Sequence, residues 1–222
     1  MTGIQAESPV STADKIQDLV DRARNNSTIW MVATGVIVAA VLIYLFVGRL
    51  RLITNNNAER ALSSAKQSLN SGNLPLAQSD LTKVYERYGS TPAGVEAALL
   101  LAGLDYDAGK VQDGINLLDK ASGSGAASNV QSTILGLEGD GYAQMKKLGD
   151  AAKKYEAAAA ATSFETEKAA LRAKAARAYQ QAGDTAAAHK LWGALATDPT
   201  AITVSAEARV RLGELTAQTA KR

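Results

Sequence analysis

The chain has 222 residues, with 24 Lys and Arg against 22 Asp and Glu, one His and no Cys. That length suits one or two domains, and the missing cysteines exclude disulfide staples, thiol nucleophiles, thiolate metal sites and a lipid-modified N-terminal cysteine. Charge is balanced on both sides of one apolar block, three basic and four acidic residues in 1–28 and nineteen and eighteen in 53–222, so no polycationic stretch suggests a nucleic-acid binder.

Residues 1–28 form a polar tail. Within it "STADKIQDLVDRARNN" fits a short amphipathic helix: Ser11 caps, Asp14 completes a capping box, and Ile16, Leu19, Val20 and Ala23 share one face. Such a helix can dock a partner, lie on a lipid surface or fray in solvent.

From Ile29 to Val47 nineteen residues carry no charge. A helix rising 1.5 Å per residue needs about twenty apolar residues to cross a hydrocarbon core of roughly 30 Å, so 29–47 is expected to be a transmembrane signal anchor. Trp30 and Tyr44 stand near its ends, and Arg49 and Arg51 close it with charges that reach water. A cleaved signal peptide would have a shorter apolar run and a small-residue cleavage site, where this chain has "FVGRLRLI". Lys15, Arg22 and Arg24 before the span are matched by Arg49, Arg51, Arg60 and Lys66 after it, so charge leaves the orientation open. Residues 48–56 read as a juxtamembrane linker.

From Asn57 onward apolar residues recur at intervals of three and four, with no alternating β-branched run, so 57–222 reads as helical. Breakers punctuate it at "SGNLPLA", "AGKVQDG", "LGDAAKK" and "AGDTAAA", placing Gly72, Gly109, Gly149 and Gly183 at intervals of 37, 40 and 34 residues. Each glycine suits the left-handed position that ends a helix, and a new helical pattern follows. A two-helix unit with a period near 34 marks a helical-hairpin solenoid. The third unit is degenerate, its Gly149 turn running into Ala151 and Tyr155 with about three residues missing. "ASGSGAAS" at 121–128 reads as a flexible connector between the second and third hairpins. After Pro199, Val204, Ala208, Leu212 and Leu215 share a side of a closing helix, which an array needs to cover its last apolar face.

In "ALRAKAARAYQQAGDTAAAHKLWGALATDP" the residues Ala176, Tyr179, Gly183, Ala188, Trp192 and Pro199 stand at small, aromatic, turn, small, aromatic and Pro positions. This segment resembles the tetratricopeptide repeat. The expected fold is therefore all-α: one N-terminal transmembrane helix, then a tetratricopeptide-like α-α superhelix of about four hairpins and a C-terminal capping helix.

No catalytic constellation accompanies the repeats. His189 lies between Ala188 and Lys190 without a companion ligand, and Asp105 and Asp107, two apart on a helix, face different ways. The reading is a non-enzyme with no catalytic residue, no metal and no cofactor, and with neither nucleic acid nor a small-molecule substrate. Stacked hairpins offer instead a concave surface made mainly by each first helix. The register projects Leu62, Lys66, Leu99, Tyr106, Lys146, Arg177 and Gln181 toward it as partner-binding residues. The resemblance to co-chaperone repeats would imply a carboxylate clamp, but Leu62 stands where one of its lysines is expected.

The whole plan of polar tail, single span carried by "TIWMVATGVIVAAVLIYLFVGRLR", and four hairpins with Gly-to-Ala turns resembles the bacterial ancillary SecYEG translocon subunit family. That resemblance implies a tail in the cytoplasm, a span in the inner membrane bilayer, repeats in the periplasm, and protein partners that are translocon subunits, periplasmic chaperones or emerging polypeptide. The alternative is a scaffold subunit of a cell-envelope complex that binds no substrate.

Overall fold

The computed structural model describes residues 16–17 and 27–219; the capping and amphipathic reading of the tail falls, apart from Ile16, outside them. The chain forms two compact units, Met1–Ile53 and Thr54–Arg222. The helices in chain order are α1 (Ser27–Asn70), α2 (Leu74–Tyr88), α3 (Pro92–Asp107), α4 (Val111–Ser122), a 3-10 turn (Gly125–Val130), α5 (Gln131–Gln144), α6 (Leu148–Ala161), α7 (Glu165–Ala182), α8 (Thr185–Thr197) and α9 (Ser205–Thr219). No strand occurs among the described residues.

In the first unit, the α1 side chains from Trp30 to Ile53 are exposed apart from a half-buried Ala33, large apolar ones among them. This helix is long and apolar enough to cross a membrane. Its exposed apolar residues continue past Arg49 and Arg51 through Leu52 and Ile53, and residues 48–56, read above as a linker, lie within α1.

The second unit is a stack of four hairpins, formed by the α1 residues from 54 onward with α2, then α3 with α4, α5 with α6, and α7 with α8, closed by α9. Each hairpin turns through one residue with positive φ: Gly72 (75°), Gly109 (76°), Lys146 (61°) and Gly183 (83°). These four are spaced by an unbroken 37 residues. The bonds that close each turn repeat at the same interval. Asn73, Lys110, Lys147 and Asp184 donate their N–H to the carbonyls of Ser68, Asp105, Tyr142 and Tyr179, and the residue before each donates to Leu69, Tyr106, Ala143 and Gln180. This is the Schellman arrangement, which satisfies the orphan carbonyls of a helix end. The third turn is therefore at Lys146, and Gly149 is an ordinary residue of the first turn of α6. With that correction no residues are missing from the third unit.

The period explains the core. Each second helix carries a small residue at one position (Ala77, Gly114, Ala151, Ala188) and a large one four later (Leu81, Leu118, Tyr155, Trp192), all buried. Each first helix answers with Ala65, Ala102, Gly139 or Ala176, also buried. Small groups let the helix axes approach, and the large side chain fills the volume between neighbouring hairpins. The small position is tight at Gly114, where a Cβ would lie 2.5 Å from the Tyr106 ring. The connector at 121–128 is ordered: Ser124 caps the 3-10 turn, and Ala127 is fully buried among Val95, Ile115 and Ile134.

Both ends of the stack are finished as solvent requires. Ser64 and Asp80 face outward on the first hairpin, at positions where the second hairpin has Leu101 and Leu117 and the fourth has Ala175 and Leu191, all packed on the preceding hairpin. At the other end Val204, Ala208 and Leu215 of the closing segment bury against Trp192 and Leu195, with Leu212 alongside. The third hairpin departs from its neighbours, because these same seam positions hold Glu138, which is 2% exposed, and Lys154, with Nζ to Oε2 at 2.5 Å.

Two outcomes follow from this packing. Nothing lies within 4 Å of a Cβ built on Gly183, so Gly183→Val is strained by its φ alone. The cost is expected at about 1–2 kcal/mol, seen as a Tm several degrees lower when the full chain is melted in detergent. At the third seam, Lys154→Leu leaves a buried carboxylate unpaired and is expected to cost about 2–3 kcal/mol in urea unfolding, whereas Glu138→Leu with Lys154→Leu restores the apolar pair and is expected to lie within about 1 kcal/mol of the natural chain or above it.

Candidate functional site

The candidate surface runs along the first helices of the hairpins, where one register is occupied by Lys66, Gly103, Asp140 and Arg177, spaced by 37. At the first junction Lys66 Nζ lies 2.5 Å from Glu96 Oε1. Three repeats later the same pair recurs: Arg177 Nε donates to Glu207 Oε1 at 2.8 Å and its Nη2 to the other carboxylate oxygen. Between α5 and α7 the polarity is reversed, with Lys174 Nζ donating to both oxygens of Asp140 at 2.8 and 3.1 Å. Tyr155 also donates to Asp140, at 2.6 Å, and Lys174 sits 5.3 Å over the Tyr155 ring. Between α3 and α5 the link is uncharged: Tyr106 donates from its hydroxyl to the Leu137 carbonyl at 3.1 Å, and Gln144 Nε2 donates to the Tyr106 carbonyl at 3.1 Å. Successive first helices are thus laced together by polar side chains, each half-exposed ion pair contributing at most about 1 kcal/mol.

The electrostatics agree. The hydrogen bonds from Arg177 hold the Glu207 carboxyl below its ordinary range, and the same bonds raise the Arg177 guanidinium. Burial, followed by the hydrogen bond to Asp140, raises the Tyr155 phenol; burial also raises Tyr106. The hydrogen bond from Tyr179 to Glu156 pushes that phenol up to about 12.

The seven expected binding residues are placed in different ways. Leu62 and Tyr106 are buried, at 1% and 8% exposure, and serve the core. Leu99 is half-buried against that core. Lys66 and Arg177 belong to the ion pairs between helices. Lys146 lies beyond the end of α5, in the turn, because the register was carried from Gly149 instead. Gln181 is exposed, and with Arg177, Gln180 and Arg211 it lines a depression of about 170 Å³.

A second row contains Gln181 and three residues outside the expected set. Four residues beyond the first register, hence on the same helix face, stand Asn70, Asp107, Gln144 and Gln181, all exposed. Apart from the bond of Gln144 to Tyr106, none of their side chains is engaged among the described residues. The 37-residue period, applied from Gln181 and the Gly183 turn, points to Asn70, Asp107 and Gln144. Elsewhere His189 is exposed on α8, and no group of three metal-ligating side chains occurs among the described residues. The geometry offers hydrogen-bonding side chains at intervals along a stacked surface.

Glu207 supplies a pH test. A depressed carboxyl contributes stability above its ordinary value of about 4.5 and loses it as pH falls through the lower folded value. The natural chain should therefore lose more Tm between pH ~5 and pH ~3 than Glu207→Gln does, read by circular dichroism.

The nearly identical TPR-like repeats of Podosopora anserina superpose with a TM-score of 0.54 at 16% identity, over 75% of this chain and 88% of that one, and their Q17M variant gives 0.54 at 15% over the same shares. Pseudomonas aeruginosa pilF gives 0.39 at 14% identity, over 74% and 91%. No curated protein matches the sequence, and no enzyme family is indicated. The Tetratricopeptide repeat-like domain family matches residues 53–175, more than half of the chain, and the protein belongs to that family.

Proposed function

We propose that the protein is a membrane-anchored adaptor whose row of first helices holds extended polypeptide. The observation that carries this reading is the row Asn70, Asp107, Gln144 and Gln181. Neighbouring helices pack about 8–10 Å apart, and an extended chain rises about 3.3 Å per residue, so one side chain of the row meets roughly every third residue of a bound segment. Amide groups both donate and accept, and they match any main chain regardless of its sequence. Contacts of this kind are individually weak. Anchoring compensates, because a tethered surface meets a target at the same membrane at an effective concentration that short linkers raise to millimolar order.

The span is the exposed apolar part of α1, with its interfacial Trp30 and its Arg49 and Arg51. The likeness of the whole plan to the ancillary SecYEG subunits supports a cytoplasmic tail and periplasmic repeats, and partners that are the translocon, periplasmic chaperones or the segment emerging between them. A second reading, a scaffold subunit of an envelope complex, draws on the ion pairs: Lys66, Asp140 and Arg177 are committed to neighbouring helices, which suits a rigid spacer.

Binding separates the two. The full chain in nonionic detergent is expected to retain a labelled, reduced and alkylated unfolded protein, and Asn70→Ala with Gln181→Ala is expected to weaken that binding about 3- to 10-fold with unchanged Tm, at about 0.5–1.5 kcal/mol per hydrogen bond. No retention by the natural chain would leave only the scaffold.

A further inference from the structure

Lys146 and Lys147 occupy the third turn against local preference. Lys146 takes the left-handed position that glycine fills in the other three turns, and it is the one residue other than glycine with positive φ among the described residues. A Cβ resists that conformation. Lys147 is the N-cap of α6 and makes no side-chain cap, whereas Asn73 and Asp184, at the equivalent positions of the first and fourth turns, accept from the Leu76 and Ala187 N–H groups at 3.2 and 3.0 Å. Lysine is among the poorer N-cap choices, and its charge opposes the helix dipole there.

Both lysines are exposed, and neither enters an ion pair or a side-chain hydrogen bond among the described residues. The second turn also has a lysine at its N-cap, Lys110, but it stands among Asp105, Asp107 and Asp113 and interacts with the first of these. The residues equivalent to Asp105 and Asp107 in the third turn are Tyr142 and Gln144, both uncharged, leaving Asp150 as the acid nearest in sequence. Of the four turns, the third alone carries a net positive charge. Positions that break several local rules together, with no compensating contact inside the fold, are where an external contact is expected.

We propose that the Lys146–Lys147 turn is a contact site for an acidic segment of a partner polypeptide, on the turn edge of the stack, two residues beyond Gln144. Two ammonium groups on adjacent residues of a tight turn suit a run of carboxylates, and such a contact is screened by salt.

Lys146→Gly with Lys147→Asn restores the residues of the first turn. In the full chain in nonionic detergent, this variant is expected to raise Tm by about 2–4 °C for each kcal/mol of relieved strain. It is also expected to weaken binding of a fluorescein-labelled oligoglutamate about 3- to 10-fold at low salt. Lys120→Gln with Lys190→Gln removes the same charge elsewhere and should bind as the natural chain does. The proposal is overturned if the natural chain does not bind the oligoglutamate, if the turn variant binds equally well, if it is no more stable, or if the control loses as much. Binding to anionic phosphatidylglycerol vesicles through these lysines, without binding to the oligoglutamate, would assign the turn to lipid and overturn it as well.

Discussion

Everything in the repeat unit depends on how closely two helices approach within a hairpin. At Ala77, Gly114, Ala151 and Ala188 the second helix presents almost no side chain, and Ala65, Ala102, Gly139 and Ala176 answer from the first. Close approach within a hairpin pushes the large residues, Leu81, Leu118, Tyr155 and Trp192, into the space between hairpins. A single hairpin cannot cover them. The next one must, so stability is shared between neighbours and the array needs an end that differs from its middle. Ser64 and Asp80 make one end polar, and α9 covers the other.

The polar features are built on that frame. Because successive first helices are held side by side, a charge at one register finds a partner one helix on, which is why Lys66–Glu96 and Arg177–Glu207 recur with the same spacing. This lacing uses up the charges of the surface and leaves neutral amides and one carboxylate four residues further along. Such a surface suits contact with many sequences better than tight recognition of one. The pair of buried Glu138 with the partly exposed Lys154 stands where other seams are apolar, and its carboxylate depends on that one partner for its charge.

Much of the fold was legible because helical periodicity and helix-ending glycines are local. The long apolar helix, the four hairpins and the closing helix follow from apolar spacing and breakers. The third turn was not legible. Glycine is a good guide to positive φ because it alone adopts it freely, but the flanking bonds from Lys146 and Lys147 to Ala143 and Tyr142 hold a lysine in the same conformation. Placing the turn three residues late moved Lys146 onto a helix face it does not occupy. Leu62 and Tyr106 were misjudged for another reason: residues on the edge of a helix face turn inward or outward according to what the adjacent helix offers, and Gly114 offers Tyr106 a slot.

The amino-acid sequence by itself determined the helical class, the apolar block near the N-terminus and the number of hairpins, since each is a pattern within some forty residues. Only the tertiary structure decided which residues face solvent along the first helices, which charges cancel across the junctions, and where the third turn falls. The third turn rests on its own flanking bonds, which hold a lysine where glycine is usual, whereas the charges cancel with partners thirty or more residues away, brought within hydrogen-bonding distance by the packing of small side chains.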